Sequence, residues 1–252
     1  MTFFKAEDLA INFGGISALA GISFEVEPGE VFTIIGPYGA GKTTIFNLMS
    51  RIYEPTHGRL VFCDEDITRV PPHEIARRGI ARTFQNIELL EHATVLQNLL
   101  LGRHAHKRSR FVEELLFLPR VRAREVAHRE AVERVIDFLD LQAHRDSLVV
   151  NLPYGVRKVV EMGRALCTEP RLLLLDEPSS GLSVEETEDM AFWIQDIRTV
   201  LGITVLMVEH DMSLVSAVSD RVLALDYGRV LTVGTTRDVQ AHPDVVKAYL
   251  GA

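Results

Sequence analysis

Apolar and polar residues follow two different periods along this chain. In Ile22-Ser23-Phe24-Glu25-Val26-Glu27 every second position is apolar, the period of a half-buried strand, and Pro28-Gly29 closes it with a turn. Val31 to Ile35 is apolar without interruption, as in a strand covered on both faces. A glycine-rich segment follows, and then Ile45-Phe46-Asn47-Leu48-Met49 reads as helix. Gly58 to Ile67 predicts another strand, in which Leu60 and Phe62 alternate ahead of a polar turn. The period then changes. Between Arg120 and Asp146, the residues Val132, Val135, Ile136 and Leu139 recur three to four apart among charges, which predicts an amphipathic helix. Val156, Val160, Gly163 and Cys167 make a second such stripe, ended by Pro170. Short apolar strands return at Leu172 to Leu175, Ile203 to Val208 and Arg221 to Leu225. Between the first two, Ser183-x-x-Glu186 is a capping box that opens a helix carrying Met190, Ile194, Ile197 and Leu201, with Gly202 as its stop. Strands alternating with helices predict an α/β chain with a mainly parallel sheet covered on both faces, and a largely helical lobe from about Gly102 to Pro170.

The chain has 252 residues, long enough to bury a core without disulfides or metals, as one large domain or one domain with a smaller lobe. Its 27 Lys and Arg stand against 35 Asp and Glu, a net charge of −8 that argues against a general binder of nucleic-acid backbones. Arg103-His-Ala-His-Lys-Arg-Ser-Arg110 is a local exception, readable as a contact for a membrane-embedded partner or acidic lipid headgroups, or equally as a solvated face. Cys63 and Cys167 lie far apart with no metal-ligand spacing, so neither a disulfide framework nor a zinc site is expected, and a reducing compartment fits best. No run approaches the ~18 consecutive apolar residues of a membrane span. The start, Met-Thr-Phe-Phe-Lys-Ala-Glu-Asp, lacks a signal-peptide apolar region, so a cytoplasmic protein is expected, with any membrane role exercised through a partner. No internal repeat is present.

Chemistry concentrates at a few points. Gly36-Pro37-Tyr38-Gly39-Ala40-Gly41-Lys42-Thr43 fits G-x-x-x-x-G-K-[ST], between an apolar strand and a helix. Glycines let successive backbone N–H groups curl round an anion, and the helix dipole points at the same place. Lys42 adds a charge for the β- and γ-phosphates, and the Thr43 hydroxyl can ligate Mg²⁺. Further on, Asp176 emerges from a four-leucine strand at its carboxyl end, where α/β sheets place ligands. There it can hold Mg²⁺ through water, and Glu177 beside it can polarise a water for attack on phosphorus. His210 follows the strand Ile203 to Val208; an imidazole there can bond a γ-phosphate, or simply satisfy a local hydrogen bond. The other eight histidines read as surface residues. Gln85 alone reads as a loop amide.

The ordered set of P-loop, Gln85, Leu152-Pro153-Tyr154-Gly155-Val156, Asp176-Glu177 and His210 resembles the ATPase subunits of ABC transporters over nearly the whole chain. Gly79-Ile-Ala-Arg-Thr-Phe-Gln-Asn-Ile-Glu-Leu-Leu, Leu152-Pro-Tyr-Gly, Val208-Glu-His-Asp-Met and Pro243-Asp-Val-Val-Lys-Ala-Tyr-Leu-Gly are similar to the branched-chain (hydrophobic) amino acid importers, the Liv type. The resemblance implies a P-loop NTPase with the ABC ATPase fold: a RecA-like, mainly parallel sheet core, an N-terminal antiparallel β subdomain and a helical lobe. It implies a single domain over 1–252, with 1–101 and 171–252 forming the nucleotide-binding core and 102–170 the lobe.

It further implies ATP and Mg²⁺. Phe13 would stack on adenine, and Gly36, Pro37, Tyr38, Gly39, Ala40, Gly41, Lys42, Thr43 and Thr44 would bind the nucleotide. Thr43, Gln85 and Asp176 would serve the metal, Glu177 would be the general base, and His210 would sense the γ-phosphate. Leu152, Pro153, Tyr154, Gly155 and Val156 would cap the γ-phosphate of a second ATPase subunit, head-to-tail in a homo- or heterodimer, and Ser180-Gly181-Leu182-Ser183 would cross between the two sites. Integral membrane permease subunits would be direct partners and a periplasmic or surface substrate-binding protein an indirect one, with no nucleic acid. The place would be peripheral, on the cytoplasmic face of the inner (plasma) membrane. Where the family signature usually reads Leu-Ser-Gly-Gly-Gln, this chain has Pro153, Tyr154 and Val156, and Tyr38 stands where Asn or Ser is usual. The losses of a hydroxyl and an amide are each worth ~0.5–1.5 kcal/mol as ordinary hydrogen bonds. Two other readings use the same P-loop: a non-transport ABC ATPase acting on nucleic acid or ribosomes, and a small-molecule kinase.

Overall fold

A computed structural model describes residues 2–106 and 119–250. The chain opens with an antiparallel hairpin, β1 (Phe4–Phe13) and β2 (Ile16–Val26), and β3 (Val31–Ile35) then enters a second sheet. The order continues α1 (Lys42–Met49), β4 (His57–Phe62), β5 (Glu65–Asp66), α2 (Pro72–Ile75), β6 (Ile80–Arg82), α3 (Val95–Gly102), α4 (Pro119–Phe138) and α5 (Tyr154–Leu166). It ends with β7 (Leu172–Asp176), α6 (Val184–Thr199), β8 (Thr204–Val208), α7 (Met212–Val218), β9 (Arg221–Asp226), β10 (Arg229–Gly234), α8 (Thr236–Gln240) and α9 (Pro243–Leu250). The first sheet is antiparallel, β2-β1-β4-β5. The second runs β10-β9-β3-β8-β7-β6, with every pair parallel except β9–β10.

The uninterrupted apolar strands are explained by what covers them. Leu172 and Leu174 face one apolar cluster with Phe32, Ile34, Ile45, Phe46 and Leu48. Leu173 and Leu175 face the other, with Val132, Ile136, Val160, Ile194 and Met207. A strand of a parallel sheet buried on both faces therefore needs no polar alternation. The cluster on the second face runs from the sheet into α3, α4 and α5, so these helices share one core with the strands.

Gly58 to Ile67 differs from the single strand its pattern predicts. It is a hairpin, β4 and β5 paired across Cys63-Asp64, with φ of 50° and 62° at those residues. Two successive left-handed residues are what a two-residue hairpin turn matching strand twist requires. The capping box at Ser183 forms as read: Ser183 N–H donates to Glu186 Oε2 at 2.9 Å, and Glu186 N–H to Ser183 Oγ at 3.2 Å. The helix it opens stops at Thr199, and Leu201 lies beyond it.

Arg103, the first residue of the basic run, is buried. It donates to Cys167 O at 2.9 Å and to His128 Nδ1 at 3.2 Å, and pairs with Glu169 at 2.8 Å. Residues 107–110 of that run lie outside the described residues. Cys167 is buried, which pushes its thiol up to about 12. Among the described residues no helix is long and apolar enough to cross a membrane.

Candidate functional site

β3, β8, β7 and β6 are neighbours in the sheet and run parallel, so their carboxyl ends share one edge. Each leads into a segment singled out in the sequence: the P-loop after β3, His210 after β8, Asp176 and Glu177 at the end of β7, and Gln85 after β6. Ligands of open α/β sheets collect at that edge. Residues up to 174 positions apart are thus delivered to one place by pairing registers such as Ile34 with Val208 and Asp176 with Val208.

The P-loop turns tightly out of β3. A Cβ on Gly36 would lie 2.1 Å from Leu225 O on β9, so only glycine permits the close approach. Gly41 caps α1 with no side-chain acceptor, which leaves the first-turn N–H groups, including those of Thr43 and Thr44, available to an anion. Lys42 Nζ curls back across the loop and donates to Gly36 O at 2.7 Å and Pro37 O at 3.0 Å. Burial lowers the Lys42 pKa, opposed by the Glu177 and Asp176 carboxylates. Ala40 is buried, whereas Tyr38 projects with 98% of its surface exposed.

Asp176 and Glu177 have opposite surroundings. Asp176 is buried, and its Oδ2 accepts from Arg82 Nη2 at 2.7 Å, while its Oδ1 is buried with no hydrogen-bond partner. Burial raises the Asp176 pKa and the Arg82 charge opposes it. Glu177 is half-buried at a left-handed φ of 50°, held by a bond from its N–H to Val208 O at 2.9 Å. Its Oε2 accepts from Gln85 Nε2 at 2.8 Å, so the sequence-predicted base and the loop glutamine touch. His210 lies mostly in solvent, with Nδ1 3.7 Å from Glu209 Oε2.

The remaining predicted residues lie further out. Phe13 is 44% exposed, with Tyr53 edge-on at 5.1 Å between ring centroids. In the signature segment, Leu152 is buried, Pro153 caps α5, and Tyr154 and Gly155 open its first turn. A Cβ on Gly155 would meet Glu186 Oε1 at 2.1 Å, and Tyr154 lies over Gly181. Val156 packs against the apolar cluster of the second face. The signature segment therefore faces the loop that follows Glu177.

Four polar residues that sequence reasoning passed over hold this site. Arg82 joins Asp176 to α1 through Asn47 Oδ1 at 2.8 Å and Ser50 Oγ at 3.1 Å. Glu209, fully buried, accepts from Ser179 N–H and Oγ, His210 N–H and Asp211 N–H at 2.7–3.0 Å. Lys158 and Glu161 are buried on α5. The available signal was their position: charges inside strings otherwise patterned for burial, next to motif residues.

The family described as ABC transporter matches residues 19–180, more than half of the chain. The chain belongs to the ABC transporter family. Within it, it is the ATPase subunit, and no described helix could serve as a membrane span. It is 40% identical over 250 residues to the high-affinity branched-chain amino acid transport ATP-binding protein BraF of Pseudomonas aeruginosa, covering 98% of this chain and 97% of that one. It is 37% identical over 246 residues to LivG of Escherichia coli, a protein of the same description, covering 96% and 95%. The crystal structure of a nucleotide-free ATP-binding cassette from an ABC transporter superposes with a TM-score of 0.87 at 31% identity, over all of both chains. The mixed sheet with its antiparallel companion is thus the ABC cassette fold.

Proposed function

We propose that this chain binds and hydrolyses ATP with Mg²⁺ to drive an importer of branched-chain or related amino acids. The observation that carries the reading is the single sheet edge on which Lys42, Gln85, Asp176, Glu177 and His210 meet. The residues also fit a divalent cation: a buried carboxylate oxygen without a partner, Asp176 Oδ1, stands at the end of β7, and Thr43 offers a hydroxyl on the first turn of α1. Asp176 through water, Thr43 and Gln85 would hold Mg²⁺, which when bound neutralises phosphate charge.

The chain's own residues supply the rest. The N–H groups of the P-loop and Lys42 Nζ cradle the phosphates, the ammonium leaving its present carbonyl acceptors. Phe13 supports adenine. Glu177 takes the proton of the attacking water, and His210, already near the edge, donates to the γ-phosphate. The signature residues 152–156 act on a second subunit's nucleotide in a head-to-tail dimer, so ATP closes the dimer and hydrolysis reopens it. Tyr38, in solvent here, falls on the side that the second subunit covers. A groove of about 510 Å³ lined by Ile52, Ile75, Phe84, Leu101 and Arg164 receives the permease, on the cytoplasmic side of the membrane.

Two substitutions test the reading. Lys42→Ala abolishes ATP binding in calorimetry; retained affinity counts against the cradle. Glu177→Gln keeps binding, stops turnover and accumulates an ATP-bound dimer in size-exclusion chromatography; parental hydrolysis would assign the base elsewhere.

A further inference from the structure

Helix α5 carries two charges where its packing predicts apolar residues. Lys158 is 4% exposed and Glu161 2%, one helical turn apart. A buried charge costs several kcal/mol unless it is hydrogen-bonded, so the partners of these two residues identify their work. Lys158 Nζ donates to the backbone carbonyl of Glu177 at 3.2 Å. Glu161 Oε1 accepts the N–H of Phe84 at 3.2 Å, and Arg164, a turn further on, donates to Glu88 O. The loop carrying Gln85 is therefore tied to α5 on both sides of the glutamine.

These bonds close a ring. Its one segment outside α5 and its anchors is the bond from Gln85 Nε2 to Glu177 Oε2 at 2.8 Å. Glu177 is also the residue whose left-handed φ of 50° needs support, and the ammonium on its carbonyl, together with its own N–H on Val208, supplies it. At the other end of the same helix, Gly155 lies against Glu186 and Tyr154 over Gly181. The anchor of the Gln85 loop and the support of Glu177 therefore belong to one rigid element, α5, independent of the strand ends of β6 and β7.

We propose that Lys158 and Glu161 are positioning residues for hydrolysis: from one helix they hold the Glu177 backbone and the Gln85 loop, and so set the place of the Glu177 carboxylate relative to Gln85 that turnover requires. The inference rests on the reading of Glu177 as general base and adds the residues that hold it in place. Burial lowers the Lys158 pKa and raises that of Glu161, each opposed by the charge of the other, so neither residue is an idle surface charge.

The test measures steady-state ATP hydrolysis and thermal unfolding of the full chain for Lys158→Met, Glu161→Ala, Glu161→Gln and Glu177→Gln. Lys158→Met removes the donor but fills the same space, and Glu161 keeps Arg164 at 4.0 Å, so the variant is expected to fold with a lowered Tm, and its kcat is read well below that Tm. Misplacing a reacting group by about 1 Å costs roughly 10²-fold, so kcat falls by about that factor in Lys158→Met and Glu161→Ala while KM for ATP stays within about twofold. Glu161→Gln keeps an oxygen acceptor for Phe84 N–H and is expected to retain kcat within about threefold. Parental kcat in Lys158→Met, a parallel change in KM, or equal loss in Glu161→Gln and Glu161→Ala overturns the proposal. If Glu177→Gln abolishes turnover and Lys158→Met does not, only the positioning role fails. If Glu177→Gln hydrolyses at the parental rate, the reading of the base fails instead.

Discussion

At the scale of single residues, Arg82 binds more of the site together than any motif residue does. One of its nitrogens reaches Asp176 Oδ2, another reaches Asn47 on α1 and Ser50 at its end, and its guanidinium lies over the rings of Phe46 and Phe84 at 5.4 and 5.1 Å. The pair with Asp176 is buried on both sides, so removing one partner strands the other in low dielectric. Arg82→Met is expected to cost about 3 kcal/mol or more in urea unfolding, as for other broken buried pairs. A loss below about 1 kcal/mol, the range of exposed pairs, would show that the pair is solvated. The sequence displayed Arg82 within Gly79-Ile-Ala-Arg-Thr-Phe-Gln, yet nothing local connects it with a carboxylate 94 positions away. Lys42 and Asp176 were legible for the opposite reason: their roles follow from the strand or turn immediately beside them.

Among the elements, α6 shows local sequence sufficing. Ser183 and Glu186 exchange hydrogen bonds at its start, and Met190, Ile194 and Ile197 place its apolar stripe in the core. Ser183→Ala is expected to lower stability by about 1 kcal/mol, the usual worth of a cap, measured as a shift in the urea midpoint with unchanged slope. Glu186 also lies against Gly155, so one carboxylate both caps α6 and touches the first turn of α5. The hairpin β4–β5 shows the converse. Alternation of Leu60 and Phe62 identifies strand, but Cys63-Asp64 is a weak turn signal, since the usual pairs contain glycine or asparagine. The two positive φ angles are sustained by pairing of the strands on either side.

For the molecule as a whole, Glu209 is the tie between neighbouring strand ends. Its carboxylate collects four donors from the loop after β7 and the loop after β8, which sets where His210 begins. Glu209→Ala leaves Ser179, His210 and Asp211 N–H groups unpaired, at about 1–3 kcal/mol for each that water cannot reach. We expect a loss of about 3 kcal/mol in unfolding and a fall in ATP turnover larger than any change in ATP affinity. Undiminished turnover would show that His210 holds its place without this carboxylate. The sequence by itself determined strands β3, β7, β8 and β9 and helices α1, α4, α5 and α6 to within a few residues, where the phosphate-binding turn lies and which acidic and imidazole groups stand at strand ends. These depend on period, on glycine and on adjacent residues, all of which are local. Tertiary structure alone decided that β3, β8, β7 and β6 lie side by side, that Arg82 meets Asp176 and that Gln85 meets Glu177. Strand order and buried polar pairing arise from contacts between segments far apart in the chain, and a single sequence does not display their geometry.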